Sequence, residues 1–519
     1  MSIQAHDLHE NDAVAAAGRG ACLIAVDIGT TRSKALLYRF DQGLVSMSSC
    51  GYGTSHPKPG YAEQDAAEVL EAVFRAVADL VQSQDLAPGS VEALSFAGIW
   101  QSLLPLDREG RPLSRALTWA DTRALAESRA LRARLDAEQV AARTGCGLHP
   151  MYFLPRLLWL RDTAPEILGR TSKLVSIKEY VLYHLFGCFA VDRSIASGTG
   201  IWNMATREWD RELLSEIGLD VGLFSPIYEP THTLAGLLPE AATRMGLLPG
   251  TPGVIGAADG ALSHLGGCAL RPERLSVTVG TGAGLRRLVS GPTLIPGGEA
   301  WCYYLAEEQW LLGGIVQSAG NVVTWFADTF LGREGEDPEV YRKIDRYAGE
   351  IPPGADGLRI LPYLAGERCP RERPESRGAV YGLAFSHTLK HLARATLEGI
   401  SYVLYTVYRM LAQEGSFEIV LTGGLAASEV WIQLTADLFQ QRLLVPKVSE
   451  TSAWGAVLIA LRALGTLDSL DQAERFVEIG HEVAPDPIAA ETYAELRRSL
   501  DRLYGRLYEG AEEDLAPNA

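Results

Sequence analysis

The chain has 519 residues, with 64 Asp and Glu against 47 Lys and Arg, a formal net charge of −17, and 47% hydrophobic and 21% charged residues. This balance excludes wholesale disorder and argues against a nucleic-acid partner, which clustered Lys and Arg would hold. The most apolar stretch, 453–461, ends at Arg462 and falls far short of the roughly 20 residues of a membrane-spanning helix, so it is expected as a buried helix.

In chain order, residues 1–20 are expected as a flexible leader without the apolar core of a signal peptide. A strand at 23–26, the turn Gly29-Thr30-Thr31 and a strand at 33–38 form a hairpin. Apolar spacing predicts helices at 65–82 and 125–142, and strands at 91–97 and 103–106. Residues 152–187 read as mainly helical, and 192–197 as a polar connection before Trp202. A strand then leads to Asp259.

Residues 275–279, the turn Gly280-Thr281-Gly282 and 284–289 repeat the first hairpin some 250 positions later, with Thr278 opposite Asp27. The chain therefore divides near 262–274 into a first domain at 21–265 and a second at 266–470, each opening with a phosphate-gripping hairpin. The second half continues with a helix at 321–330, a strand at 358–364 and a charged loop at 366–378. A helix at 387–411, a strand at 419–422 and a helix at 429–440 follow, and 471–519 is an extension ending in an acidic tail from Glu509. The class is mixed α/β. Seven cysteines, an odd number without a CxxC pair, fit a reducing cytoplasm.

The two turns suit phosphate, because glycine lets backbone N–H groups approach an anion and threonine hydroxyls add donors. Asp27, directly after an apolar strand, is expected to hold Mg2+ through water, since this hard cation takes oxygen ligands and keeps its hydration shell. Asp259 is expected as the base that takes a proton from a hydroxyl. An N-cap role for it stays open beside this, and no pKa far above that of free Asp is required. Gly423 and Gly424 join a strand to a helix that Ser428 can cap, and they would let adenine lie flat on the backbone. The loop 367–373 is expected as a solvated rim.

These motifs, with Pro59-Gly60-Tyr61-Ala62-Glu63-Gln64-Asp65, Thr118-Trp119-Ala120-Asp121-Thr122-Arg123, Leu361-Pro362-Tyr363-Leu364-Ala365-Gly366-Glu367-Arg368 and Glu450-Thr451-Ser452-Ala453-Trp454-Gly455-Ala456, resemble the FGGY carbohydrate kinases of the actin, hexokinase and Hsp70 superfamily. The resemblance runs from about 23 to 464. It implies two ribonuclease-H-like domains around a central cleft, ATP and Mg2+ in that cleft, and adenosine contacts near Gly320, Gly423, Gly424 and Ser428. The stretch 118–123, Leu148-His149-Pro150-Met151, Ser176-Ile177-Lys178-Glu179-Tyr180 and Ser197-Gly198-Thr199-Gly200-Ile201-Trp202-Asn203 look closest to the bacterial gluconate kinases of the family.

Two positions depart from the family. Trp100-Gln101 stands where Met-His is typical at the sugar, and Ser428 where asparagine is common. Glutamine cannot become cationic, so an acid's carboxylate would need Arg123, His149, Lys178 or Arg193. The resemblance implies a kinase acting on a small sugar or sugar acid, with D-gluconate phosphorylated at its terminal hydroxyl and Trp100, Gln101 and Asp259 at the substrate. Xylulose or another pentulose or polyol is the alternative. An actin- or Hsp70-like ATP-binding switch, or a sugar sensor without turnover, is the rival from a different class. No membrane partner is expected, and a homo-oligomer is left open.

Overall fold

Burial on both faces explains the first strand. In the computed structural model, which describes residues 20–509 apart from 88, 269, 297–299, 333–337 and 414, β1 (Cys22–Ile28) is buried at every position. It pairs antiparallel with β2 (Arg32–Arg39), which pairs with β3 (Gly43–Gly51). Residues 1–19 of the expected leader and 510–519 of the expected tail lie outside the described residues.

The helix α1 (Ala66–Ser83) begins where the Asp65 carboxylate accepts the Ala67 N–H at 3.0 Å. It lays its buried Val69, Val73, Val77 and Leu80 over β2 and β3. On its other side β1 runs parallel to β4 (Val91–Gly98). The helices α2 (Ile177–Phe186) and α3 (Arg193–Ser197) follow. An edge strand β5 (Thr233–Leu234) and β6 (Gly253–Ala258), parallel to β4, complete the order β5-β6-β4-β1-β2-β3, and α4 (Asp259–Cys268) leaves directly from β6.

The second half repeats this plan. β7 (Arg274–Val279), β8 (Ala283–Val289), β9 (Trp301–Ala306) and β10 (Gln309–Val316) form its antiparallel part. The helices α5 (Gly320–Leu331), α6 (Pro338–Gly349) and α7 (Leu389–Ala412) then lead to β11 (Glu418–Gly423), parallel to β7. The helix α8 (Glu429–Phe439), β12 (Leu443–Pro446), α9 (Thr451–Ala463), β13 (Ile479–Val483) and α10 (Ala490–Tyr504) finish it. The sheet order is β9-β10-β8-β7-β11-β12-β13. Five strands of each sheet, β3-β2-β1-β4-β6 and β10-β8-β7-β11-β12, share one order and one set of directions, which is the ribonuclease-H-like pattern present twice.

Four expectations are corrected. The helix expected over 125–142 is two, Leu125–Arg134 and Ala137–Thr144, because the Asp136 carboxylate accepts the Glu138 and Gln139 N–H groups and starts a new one. The connection at 192–197 is the buried helix α3, capped by Asp192 through the Ile195 N–H at 2.8 Å. Within 358–364 only Arg359–Leu361 is strand, since Pro362 follows. The loop at 367–373 is not a solvated rim: Glu367 is 3% exposed and accepts from the Tyr504 hydroxyl, and Arg373 donates to the Tyr508 carbonyl. The segment after 470 is woven into the second sheet through β13, and its α10 packs on α8 and on the strand Arg359–Leu361.

The halves are clasped reciprocally: α4 packs on β7 of the second sheet, α9 packs on β1 and β4 of the first, and the two helices pack on each other. Their approach requires glycine. A Cβ on Gly266 would overlap the Thr451 carbonyl oxygen, and one on Gly455 the Leu262 carbonyl oxygen. The Ser95 hydroxyl donates to the Ala456 carbonyl at 2.8 Å across the same junction. Gly455→Ala should therefore lower unfolding free energy by about 1–3 kcal/mol through overpacking. Urea denaturation checks this, and an unchanged midpoint would show that the helices separate without cost.

Candidate active site

Both carboxylates of the cleft sit where a buried parallel strand ends. Asp27, next to last in β1, is 7% exposed; its Oδ2 accepts from the Ser452 hydroxyl at 2.6 Å, and its Oδ1 is buried without a hydrogen-bond partner. Burial raises its pKa, against the lowering by Ser452 and Lys34. Lys34 is itself paired with Glu450, so the first turn is tied to the start of α9 twice.

Asp259 opens α4. Its Oδ1 accepts the Gly260 N–H at 2.7 Å rather than the second or third helical N–H that a capping side chain takes. Burial, and then the charge of Asp27, push its carboxyl up to about 7, with Arg286 and Lys178 pulling the other way. The carboxyl is thus poised near neutrality, where general bases work best.

A cavity of about 700 Å³ opens beside the second turn, lined by Gly280, Thr281, Gly320, Gly424 and Ser428 among others. Its size suits a nucleotide. Five residues expected at the nucleotide are thus brought together. Gly320 starts α5 with its N–H on the Gly280 carbonyl at 3.1 Å, and the Asn321 N–H meets the Thr281 carbonyl at 2.8 Å. Gly282 and Gly423 do not line the cavity. Gly423 has φ +92°, and a Cβ there would overlap the Val279 carbonyl, so it serves the contact of β11 with β7.

Ser428 caps α8 through the Trp431 N–H at 3.0 Å and donates to Asp345 Oδ1 at 2.7 Å. Asp345 and Tyr341 of α6, also lining the cavity, carried no recognisable motif. In the first turn the Thr30 hydroxyl accepts from Trp119 Nε1 at 3.1 Å, the Gly29 carbonyl accepts from the Tyr52 hydroxyl at 2.5 Å, and Thr31 is exposed.

Trp100 and Gln101 follow β4. Trp100 donates from Nε1 to the Ser194 carbonyl at 2.9 Å and packs 5.6 Å from the Trp301 ring and 5.0 Å from Tyr303. Gln101 has φ +54°, which a buried guanidinium enforces: Arg156 donates to the carbonyls of Gln101, Thr118, Asp121 and Pro150. The Gln101 amide donates to the Gly198 carbonyl at 3.1 Å and to the Tyr303 hydroxyl at 3.3 Å. From there hydroxyl contacts run to Tyr152 at 2.7 Å and Arg368 at 3.3 Å.

The four cations named for a carboxylate are all engaged or neutral. Arg123 is paired with Asp121 and Glu63, Lys178 with Asp192 at 2.8 Å, and Arg193 with Glu229. Burial and the nearby Arg368 charge hold His149 well below its ordinary pKa. Lys178 also donates to the Ala257 carbonyl at 3.2 Å, two residues before Asp259, and so braces the end of β6.

Arg286 of β8 reaches the cleft instead. Its Nη1 is 3.3 Å from Thr278 Oγ1, its Cζ is 5.9 Å from the Trp100 ring, and it has no carboxylate within 4.0 Å among the described residues. The signal for it lay in Arg286-Arg287, two charges in an otherwise apolar strand.

A duplicated fold with a nucleotide-sized cavity at one glycine turn and a poised carboxyl beside it has the architecture of a phosphotransferase acting on an alcohol. Family models agree: the FGGY family of carbohydrate kinases, N-terminal domain, matches residues 22–266, and its C-terminal domain matches 275–464. The chain is 36% identical to a gluconokinase of Bacillus licheniformis over 485 residues, covering 91% of this chain and 94% of that one. Among solved structures it is similar to a gluconate kinase and to a ligand-bound xylulose kinase, both from Lactobacillus acidophilus. Each has a TM-score of 0.87 and 31% identity, over 94% of this chain and 98% of the other. The chain belongs to the FGGY family of carbohydrate kinases.

With Asp259 raised to about 7, kcat/KM should fall as pH drops below about 7, because protonation removes the acceptor for the hydroxyl proton. A pH–rate profile from 5.5 to 8.5 checks this, and a flat profile would remove Asp259 as the titrating base.

Proposed function

We propose that the chain is an ATP-dependent gluconate kinase that transfers the γ-phosphoryl group to the terminal hydroxyl of D-gluconate, giving 6-phosphogluconate and ADP. The observation that carries the reading is Asp259, poised at the cleft in a chain 36% identical to a gluconokinase along nearly its whole length. On this reading residues 21–265 hold the sugar acid and 266–470 the nucleotide. Adenosine lies in the cavity against Gly320, Gly424 and Ser428, and the phosphates lie between Gly280-Thr281-Gly282 and Gly29-Thr30-Thr31.

The Asp27 Oδ1, buried and without a hydrogen bond, fits a hard cation that takes few carboxylates and keeps its waters. Mg2+ bound there would spread the charge of the phosphates. Asp259 accepts the hydroxyl proton as the oxygen–phosphorus bond forms, so alkoxide charge never accumulates. Trp100 and the residues around it exclude water, which competes for the same phosphoryl group. No helix among the described residues is long and apolar enough to cross a membrane, and the seven cysteines are an odd number without a CxxC pair. Both features support placing the enzyme in the cytoplasm.

A second reading, the same transfer to a pentulose, is favoured by two observations: Gln101 is neutral and already hydrogen-bonded, and the similar xylulose kinase structure matches the fold equally well. ADP release with Mg-ATP against gluconate, xylulose, ribulose, glycerol, fuculose and rhamnulose, with products weighed by mass spectrometry, decides between them. Gluconate should give the highest kcat/KM, and preference for any neutral sugar would overturn the assignment. Asp259→Asn should lower kcat by about 10²–10⁴ while Mg-ATP affinity stays within about twofold, as titration calorimetry would show. Near wild-type turnover would take Asp259 out of the mechanism.

A further inference from the structure

A sugar acid brings a carboxylate into a protein whose formal net charge is −17, and Gln101 cannot meet it with charge. Arg286 is built to. From β8 its guanidinium is directed toward the N-terminus of α4, with Nη1 held by Thr278 Oγ1 at 3.3 Å and Nε buried without a partner. The Nη2 edge faces the sugar side of the cleft, 2.7 Å from where a Cβ on Gly260 would stand, and the Trp100 ring would overlap that same Cβ. A Cβ on Gly284 would stand 2.6 Å from Nη2 as well. Two glycines thus keep open the space through which this one side chain reaches the pocket beside Asp259.

A half-buried guanidinium without a carboxylate partner is costly to hold. Asp259 and Asp27 share the cleft, but Asp259 lies beyond ion-pair distance of Arg286. The other neighbours bring no negative charge to offset it: His264 is held uncharged, at about 3, by burial and by Arg286 itself, and Lys178 is a cation whose carboxylate partner is Asp192. The phosphates already have two glycine turns, whereas the free edge of Arg286 is turned to Trp100 and Gly260.

We propose that Arg286 is the specificity-determining residue that binds the carboxylate of the sugar acid, supplying the charge that Gln101 lacks, with Gly260 and Gly284 keeping its path clear. This rests on the gluconate-kinase reading and identifies how that site tells an acid from a neutral sugar. D-Gluconate and D-glucitol, which differ only in carboxylate against hydroxymethyl, test it by calorimetry on the full chain with Mg-ADP present. The wild-type protein should bind gluconate about 10²-fold more tightly, the range a charge-assisted contact supplies. Arg286→Gln should bind the two alike, with ADP affinity unchanged, and Arg286→Lys should fall between.

A discrimination that survives in Arg286→Gln would overturn the role given to Arg286 and turn attention to Arg368. A parallel loss of ADP affinity would place Arg286 at the phosphates. A wild-type protein that binds glucitol as tightly as gluconate would instead overturn the gluconate reading itself. Thermal melts of both variants separate a binding effect from misfolding, and Arg286→Lys keeps the test readable if Arg286→Gln does not fold.

Discussion

Two helices crossing through Gly266 and Gly455 set where both cleft carboxylates stand. The helix α4 grows from the end of β6 and α9 follows the end of β12, equivalent positions in the two halves of a duplicated fold. Because the crossing is close, Asp259 at the head of α4 and Ser452 at the head of α9 converge on one cleft. Ser452 then fixes Asp27 from the first sheet at 2.6 Å. Packing, sheet ends and electrostatics are therefore one constraint: neither carboxylate can move without sliding a helix over a glycine contact. The same closeness bears on the electrostatics, since the charge of Asp27 adds to burial in raising the Asp259 pKa.

The region around Trp100 and Gln101 is supported by buried charge rather than by apolar packing alone. Arg156 spends its donors on four backbone carbonyls, holding 101 in a conformation that costs a non-glycine residue of order 1–3 kcal/mol. Lys178 and Asp192, each 1% exposed, join the end of β6 to the cap of α3, whose Ser194 carbonyl receives Trp100. Buried pairs of this kind are weak sources of stability but costly to break, by about 3–5 kcal/mol when one partner is lost. They serve position, and what they position is Trp100, Gln101 and the strand that presents Asp259.

The two hairpins were legible in the sequence because a buried strand, a glycine turn and a second strand each leave a local signal, and the repeat doubled it. Asp27, Asp259 and the second turn were legible for the same reason: each stands at the end of an apolar strand. What was not legible depends on contacts distant in sequence. The break between Arg134 and Ala137 turns on a single cap, and α3 is too short for periodicity to show. The burial of Glu367 comes from Tyr504, 137 positions away. Arg286 could be noticed as a charge in an apolar strand, but its destination depends on Gly260 as well as on its strand neighbour Gly284, and only the folded chain brings Gly260 to it. The cations chosen by sequence proximity to the sugar motifs were instead spent on structural pairs.

The exchange of histidine for glutamine at 101 also bears on which groups titrate near neutrality. His149 and His264 are both held neutral by burial, and a guanidinium keeps its charge across the working range. Three carboxyls are pushed up to about 7: Glu179, Glu367 and Asp259. Glu179 is committed to the cap of α2, where it accepts the Ser176 N–H at 2.6 Å, and Glu367 to the Tyr504 hydroxyl. Asp259 alone of the three faces the cleft. On the proposed reading, with substrate charge met by an arginine instead of a histidine, recognition of an acid and activation of its hydroxyl fall to different groups, and only the second responds to pH.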